Sequence, residues 1–232
     1  MIRFDRACKR YPNGREALSG ASFEIAAGEM VFLTGRSGAG KSTILKLIAL
    51  LERPTRGLVM VNGRNTAALS SRKIPAFRRE LGMVFQDHRL LPERSVFDNV
   101  ALPLHAAHLP LREMDKRVRA ALDQVGLLDR AKSLPLELSV GEQQRVGIAR
   151  AVVVKPTLLI ADEPTGNLDP ALSLEIMGVF KRFNEVGVTV VIATHDVEIV
   201  KSWGTRELLV ADGRVQDPKS ELSELPIMEA QR

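Results

Sequence analysis

The 232-residue sequence has little of what several classes of protein depend on. It contains a single cysteine, Cys8, one tryptophan and one tyrosine, and aromatic residues make up 4% of the chain. One cysteine can neither form an intramolecular disulfide nor supply a zinc site, so an oxidising compartment is not indicated. So few aromatic residues leave little for the base-stacking surfaces of single-stranded nucleic-acid binders.

A long hydrophobic run is also missing. Apolar stretches such as 151–154 and 158–161 fall far short of the roughly 20 residues that a membrane-spanning helix needs. Residues 1–5 contain neither the apolar segment nor the small-residue cleavage site of a signal peptide. We therefore expect neither export nor a membrane span, so that work at a membrane would require a partner to anchor the chain.

The charge is balanced rather than concentrated. Lys and Arg number 33 and Asp and Glu 28, which gives a net charge of +5, and the basic residues are scattered among acidic ones. This distribution does not favour a nucleic-acid-binding surface. Hydrophobic residues at 45% and charged residues at 26% are close to the values of an ordinary globular protein, and the length suits one domain or two small lobes.

The pattern of apolar residues predicts an α/β protein. Strand-like segments occur at 2–10, 18–25 and 30–33, separated by Pro, Asn and Gly turn signals. Residues 41–51 have helical apolar spacing that Pro54 should end.

The second half of the chain alternates helices and buried strands. From about 87 to 150 the apolar residues recur at helical spacing, which predicts a helical lobe inserted into the α/β core. The segments 158–161 and 188–193 are strongly apolar and flank a helical stretch at 171–183. Apolar strands linked by a helix indicate a parallel sheet. Residues 216–232 are polar with two prolines, and we expect a loose tail there.

The strongest motif lies between the strand at 30–33 and the helix that follows it. It matches GxxxxGKS and comprises Gly35, Arg36, Ser37, Gly38, Ala39, Gly40, Lys41 and Ser42. Its glycines let successive N–H groups point inward, and the helix N-terminus adds partial positive charge, which together form a cradle for phosphates. We expect Lys41 to add a full charge, Ser42 to ligate Mg²⁺, and the following Thr43 to contact the nucleotide.

Two carboxylates follow the apolar run 158–161. Asp162 and Glu163 should lie at the carboxyl end of that strand, where ligands gather in an open parallel sheet. Asp162 is suited to hold magnesium through water, and Glu163 to orient or deprotonate an attacking water. On its own such a pair is more often a solvated strand end or a helix cap, and its combination with the phosphate loop favours the functional interpretation.

Between these two motifs lies a segment that resembles the LSGGQ signature of ATP-binding-cassette (ABC) proteins. It is Leu138-Ser139-Val140-Gly141-Glu142-Gln143-Gln144-Arg145. The resemblance extends over about 2–213 and implies an ABC nucleotide-binding domain at 1–215. The implied fold is a P-loop NTPase core with a mostly parallel sheet, an N-terminal antiparallel β subdomain and a helical subdomain at about 87–150.

The resemblance implies roles for four further residues. Gln86 resembles the Q-loop glutamine that contacts magnesium, Asp169 within 167–169 resembles the D-loop aspartate, His195 the switch histidine and Tyr11 the aromatic that stacks on adenine. Each has a simpler interpretation: Tyr11 as a strand aromatic, Gln86 as an ordinary polar residue, and His195 as a helix-capping or partly buried residue.

The family also implies how the site is completed. Two copies pack head to tail, so that Ser139 and Gly141 of one copy, with Glu142 beside them, face the γ-phosphate held by Lys41 of the other. Val140 departs from the family pattern because it replaces the first glycine of LSGGQ. A β-branched residue disfavours positive φ and brings bulk to the interface, so we expect weakened closure or turnover.

The run Phe85-Gln86-Asp87-His88-Arg89-Leu90-Leu91 resembles the cell-division branch of the family. That branch implies a peripheral location at the cytoplasmic face of the bacterial inner membrane. The implied partners are an integral membrane protein resembling FtsX and other division proteins, and the implied task is control of peptidoglycan hydrolases. Candidates for docking this partner, or else core residues, are Arg89, Leu90, Leu91 and Phe97. We assign no chemical role to His88, His105 or His108.

Three other functions stay open at this point. One is transport of lipoproteins or a small solute, as in lipoprotein-release or macrolide-type exporters. A second is a nucleotide-dependent switch with little turnover, which the substitution at Val140 favours. A third, a DNA-associated ATPase of the chromosome-maintenance kind, is disfavoured because no long heptad-bearing insertion separates the phosphate loop from the signature.

Overall fold

A computed structural model of the chain describes residues 1–166 and 168–217. Two sheets and a helical insertion make up the architecture, which confirms the α/β class with an antiparallel N-terminal sheet and a mostly parallel second sheet. The strands are β1 Ile2–Arg10, β2 Glu16–Ile25, β3 Met30–Thr34, β4 Arg56–Val61, β5 Arg64–Asn65, β6 Leu81–Val84, β7 Leu158–Asp162, β8 Thr189–Ala193, β9 Arg206–Ala211 and β10 Arg214–Gln216. The α-helices are α1 Lys41–Ile48, α2 Ile74–Arg78, α3 Val96–Ala106, α4 Leu111–Gln124, α5 Val140–Val152, α6 Pro170–Glu185 and α7 Val197–Trp203.

The first sheet is antiparallel, with the strand order β2-β1-β4-β5. In its registers Ile2 lies opposite Ile25 on one side and Val61 on the other. Phe4 stacks on Phe23 with ring centroids 4.5 Å apart. Alternating buried and exposed positions along β2 show the two-residue period of a sheet with one covered face.

The second sheet has the order β10-β9-β3-β8-β7-β6, and all of its strands except β10 run parallel. Every residue of β3 and β8 is buried, as expected for strands covered on both faces. The carboxyl ends of β3, β8 and β7 therefore lie side by side, and the phosphate loop, His195 and the two acidic residues follow them.

Alternation along these strands divides the hydrophobic core in two. Val31 and Leu33 face a core shared with α1 and the antiparallel sheet, whereas Phe32 faces a core shared with the helical insertion and α6. In the insertion, α3 packs on both α4 and α5. None of the helices in the described ranges has the length and apolarity that crossing a bilayer requires.

Some boundaries differ from the sequence prediction. α1 ends at Ile48 rather than near 51, because Leu50 takes a left-handed conformation with φ 53°. The predicted tail begins later than 216: Gln216 ends β10, and Asp217 is buried and ion-paired with Arg206. The remaining tail residues, 218–232, lie outside the described residues.

Candidate functional site

The phosphate loop fits its place because of its glycines. Gly35 and Gly40 have φ values of 130° and 123°, which residues with a side chain rarely adopt. A Cβ on Gly35 would collide with the Val210 carbonyl oxygen, and one on Gly40 would lie 2.7 Å from the carbonyl oxygen of Ala17. The loop is thus packed against β9 and β2, which fixes its position at the end of β3.

Lys41 lies buried at the start of α1. Its Nζ donates to the carbonyl oxygens of Gly35 at 2.7 Å and Arg36 at 3.3 Å. The same nitrogen is 3.6 Å from Oε1 of Glu163. A cation is therefore held between the phosphate loop and a carboxylate that directly follows β7, a contact that the sequence analysis did not predict.

Asp162 ends β7 and meets the phosphate loop's helix. The Ser42 hydroxyl donates to Oδ1 of Asp162 at 3.0 Å. Burial raises the pKa of Asp162 above its ordinary value, an effect that the Ser42 hydrogen bond partly offsets. A carboxylate and a hydroxyl are oxygen ligands of the kind that Mg²⁺ prefers. The raised pKa shows that the nearby positive charges do not fully compensate the burial of the carboxylate.

Glu163 has a strained backbone, with φ 49°. Its Oε2 lies 2.6 Å from Nδ1 of His195, and its N–H donates to the Ala193 carbonyl oxygen at 2.9 Å. The helix after β8 is capped by Asp196, which accepts from the N–H groups of Glu198 and Ile199. His195 is thus not the cap that the simpler interpretation suggested, and its side chain contacts the carboxylate instead.

A cavity of about 440 Å³ opens beside these groups. The lining residues are Tyr11, Asn13, Arg15, Ser37, Gly38, Gly40, Lys41, Ser42, Thr43, Lys46, Gln86 and Glu163. Gly35, Arg36 and Ala39 instead line the opposite side of the loop, toward the turn between β9 and β10.

Three lining residues were missed by the sequence analysis. Arg15 donates to the Gly38 carbonyl oxygen at 2.8 Å, and Asn13 accepts from the N–H of Arg15. Asn13 and Arg15 lie in the turn after Tyr11, where no helical or strand period in the sequence could predict their positions. Lys46 lies four residues after Ser42 on α1, so the helical period could have placed both on one face.

Tyr11 follows the end of β1 and lies at the edge of the cavity. Its hydroxyl is 3.4 Å from Oγ1 of Thr43, and Nζ of Lys9 is 5.1 Å from its ring centroid. Gln86 also lines this cavity, and its Nε2 lies 3.7 Å from where a Cβ on Gly166 would be.

The signature residues begin α5 and are not among those that line this cavity. The Ser139 hydroxyl and N–H both donate to Oε2 of Glu142, at 2.9 and 2.8 Å, and the Glu142 N–H donates back to the hydroxyl. The Ser139 N–H is the main cause that lowers the pKa of Glu142. Oε1 of Glu142 lies 3.5 Å from Arg130, so the carboxylate is engaged on both sides.

Gly141 lies where α5 meets α6. A Cβ at this position would collide with the Leu172 side chain. Asp169 caps α6 by accepting from the N–H of Leu172 at 3.0 Å. The signature and Asp169 are thus neighbours, while Asn167 lies outside the described residues.

The structure corrects one expectation about Val140. This residue begins α5 and its φ is not positive, so the argument from left-handed backbone strain is wrong. Its side chain is 49% exposed. Only the argument from the bulk of this side chain applies.

Comparisons with known proteins agree with this geometry. Residues 18–166 match the ABC transporter family. The chain is 55% identical over 215 residues to the cell division ATP-binding protein FtsE of Escherichia coli strain K12, with 93% of this chain and 97% of that protein covered. It is 46% identical over 213 residues to FtsE of Bacillus subtilis, covering 92% and 93%. The cell-division branch predicted from the sequence is confirmed.

Solved structures show the same family of fold. The dimeric structure of MJ0796, a bacterial ABC transporter cassette, matches with a TM-score of 0.86 and 37% identity, covering 93% of this chain and 97% of that one. A second dimeric structure of MJ0796, in a post-hydrolysis state with ADP and Pi, matches with a TM-score of 0.85 and 36% identity over the same shares.

Proposed function

The chain belongs to the ABC transporter family, and from that premise we propose that it is the ATP-hydrolysing subunit of a membrane complex acting in bacterial cell division. The name shared by its FtsE relatives supports the division role. The observation that carries the chemistry is Lys41, held between the phosphate loop and Glu163.

ATP binds in the cavity beside the phosphate loop. The loop N–H groups and Lys41 contact the β- and γ-phosphates, because a helix N-terminus and a buried ammonium both favour an anion there. Lys41 exchanges its carbonyl partners for phosphate oxygens. Tyr11 stacks on adenine from the cavity edge, and Arg15 adds a positive charge near the phosphates.

Magnesium fits the oxygens of Ser42 and Asp162. Their 3.0 Å hydrogen bond and the burial that raises the pKa of Asp162 describe a carboxylate that gains from a cation. The described residues contain no group of three or more His, Cys, Asp or Glu suited to a metal, and phosphate oxygens and water would complete the coordination, as is usual for Mg²⁺. When bound, the ion neutralises charge on the phosphates. Gln86 approaches from the cavity lining.

Glu163 orients and deprotonates the attacking water. Its 2.6 Å contact with Nδ1 of His195 holds the carboxylate in one orientation, with Lys41 on its other oxygen. As Lys41 turns to the phosphates, Oε1 becomes available to the water, and His195 keeps Oε2. Asp169 positions the start of α6 beside the signature.

A second copy of the chain completes the site. Ser139, Gly141 and Glu142 lie apart from the cavity in one chain, and a head-to-tail homodimer brings them to the γ-phosphate of the partner copy. The α5 N-terminus and the Ser139 hydroxyl then supply donors to an anion. Hydrolysis is thereby tied to closure of the dimer.

The complex works at the cytoplasmic face of the inner membrane through an integral membrane partner resembling FtsX. Arg89 and Leu91 are exposed, whereas Leu90 and Phe97 pack partly against the core. We therefore place the docking contact on Arg89 and Leu91. A nucleotide-dependent switch with little turnover is the second candidate, favoured by the exposed Val140 in the signature.

Glu163→Gln tests the proposal. The variant keeps its shape but cannot accept a proton, so ATP turnover should fall by a factor of about 100 or more, while ATP binding, measured by calorimetry, persists. Wild-type protein that binds no ATP at millimolar concentration would overturn the proposal. Wild-type protein that binds but does not turn over ATP with its membrane partner would favour the switch.

A further inference from the structure

The segment that follows Gln86 is attached to the helical insertion rather than to the sheet from which it emerges. Arg150 on α5 donates to the carbonyl oxygens of Arg89 at 2.6 Å and His88 at 2.5 Å. The N–H of Leu91 donates to Oδ1 of Asn99 on α3 at 2.8 Å, and Asn99 donates back to the Leu91 carbonyl oxygen. Two helices of the insertion, α3 and α5, thus hold residues 88–91.

His88 adds a side-chain bond to the same helix. Its Nδ1 lies 2.5 Å from Oε1 of Gln144, and since an amide oxygen only accepts, His88 donates. Gln144 is 1% exposed, and within 1–166 and 168–217 its Nε2 has no hydrogen-bond partner. The Gln144 amide therefore has a hydrogen bond at its oxygen, and this bond and the surrounding packing hold the side chain in place.

The backbone at this point is strained. His88 and Arg89 are consecutive non-glycine residues in the left-handed region, with φ values of 53° and 48°. Such conformations persist only where surrounding contacts impose them, and they cluster at sites that change shape. The three bonds from α5 are among the contacts that hold them in this conformation.

We propose that His88, Gln144 and Arg150, here called the α5 clamp, are positioning residues that make Gln86 and the signature move as one body. Gln144 and Arg150 are on the helix that begins next to Ser139, and His88 is two residues from Gln86. A displacement of residues 88–91 by a docked partner is therefore transmitted along one rigid helix to the Ser139 end. The structural part of this inference is independent of the ATPase activity, and the functional part rests on the proposed function.

Gln144→Met tests the clamp at a position with helical backbone. Methionine keeps the length of glutamine but offers no comparable acceptor, so amides of residues 88–91 in the full-length protein should exchange with D₂O about tenfold faster. Gln143→Met is the matched control: Gln143 donates to the Leu138 carbonyl oxygen and does not touch 88–91. Equal exchange in both variants would overturn the clamp.

Kinetics test its functional part. With ATP and Mg²⁺, Gln144→Met should lower kcat by a factor of about 10 and leave KM within about twofold, because the clamp does not touch nucleotide. Gln144→Glu, which restores an acceptor for His88, should recover most of kcat. His88→Ala combined with Gln144→Met should be no slower than the slower single variant, since both remove one bond.

The possible failures are distinguishable. Additive effects in the double variant, or no recovery with Gln144→Glu, would reject the clamp as a positioning device. An inactive wild-type protein would instead reject the proposed ATPase, and the exchange experiment would still decide whether the clamp holds residues 88–91.

Discussion

Val140 is the residue at which this chain departs most clearly from its family pattern. It is half-exposed at the first position of α5, on the surface that the proposed dimer closes upon a nucleotide. Because the backbone there is helical, the cost of valine is steric bulk rather than backbone strain. The same bulk favours the second candidate function, a nucleotide-dependent switch with little turnover.

Val140→Gly should therefore raise ATP turnover. We expect a factor of about ten or less, which corresponds to lowering the activation barrier by at most about 1.4 kcal/mol. Val140→Ala should give an intermediate rate in the same steady-state assay. Val197→Gly makes the same change at the first position of α7, where Val197 is 56% exposed, and should not raise turnover. A rate in Val140→Gly at or below wild type would refute the steric argument.

Asp162 illustrates how a binding group lowers the stability of the free protein. Burial raises its pKa, which means that the charged form present at pH 7 destabilises the folded state relative to the unfolded chain. Asp162→Asn removes this charge and keeps an oxygen for the Ser42 hydroxyl. Its Tm without nucleotide should rise by about 2–4 °C, as about 1 kcal/mol gives at this chain length.

The added stabilisation by Mg²⁺ with ATP should at the same time be smaller in Asp162→Asn than in wild type. Asp169→Asn is the control, because Asn caps a helix as well as Asp does and α6 keeps its cap. Thermal unfolding by calorimetry measures both variants. A lower Tm in nucleotide-free Asp162→Asn would contradict the role given to burial.

The packing of β6 on α5 joins the parallel sheet to the helical insertion. Gly82 of β6 makes this approach possible, since a Cβ there would lie 2.6 Å from the Ala151 carbonyl oxygen and 2.8 Å from Cδ1 of Leu159. Here glycine is required by close approach rather than by φ. The separation between strand and helix is therefore set by a residue without a side chain.

Gly82→Ala should lower the free energy of unfolding by about 1–3 kcal/mol, the usual cost of overpacking. Gly178→Ala, in the middle of α6, places its Cβ no closer than 3.8 Å to Arg182 and should instead raise that free energy by about 0.5–1 kcal/mol. Urea denaturation measures both. Equal effects in the two variants would mean that the β6–α5 contact is looser than described.

In one chain the phosphate-loop cavity and the signature are separate. Part of the phosphate loop and Glu163 line one cavity, Asp162 bonds to Ser42 of that lining, and the signature begins α5 outside it. The proposed function therefore assigns the complete site to two copies, as the solved cassettes that the fold resembles are dimeric.

Mixing two inactive variants should reveal this arrangement. Lys41→Ala removes the phosphate contact and Ser139→Arg blocks the signature, so neither variant alone should form an ATP-dependent dimer. Their mixture creates one intact composite site, and light scattering with ATP and Mg²⁺ should detect a heterodimer. An ATP-dependent dimer of either variant alone, or no dimer in the mixture, would reject the shared site.

The amino-acid sequence was sufficient to predict the phosphate loop, the acidic pair and the α/β class. Each of these depends on residues that are neighbours in the chain and on the periods of helix and strand. It was also sufficient for the family and its cell-division branch, since the motifs occur in a diagnostic order. The bond between Glu163 and His195, the cavity residues Arg15 and Asn13, and the helical backbone at Val140 were decided only by the folded chain. These features join residues that are far apart in sequence or depend on local packing, and no pattern along one dimension encodes the distance between them.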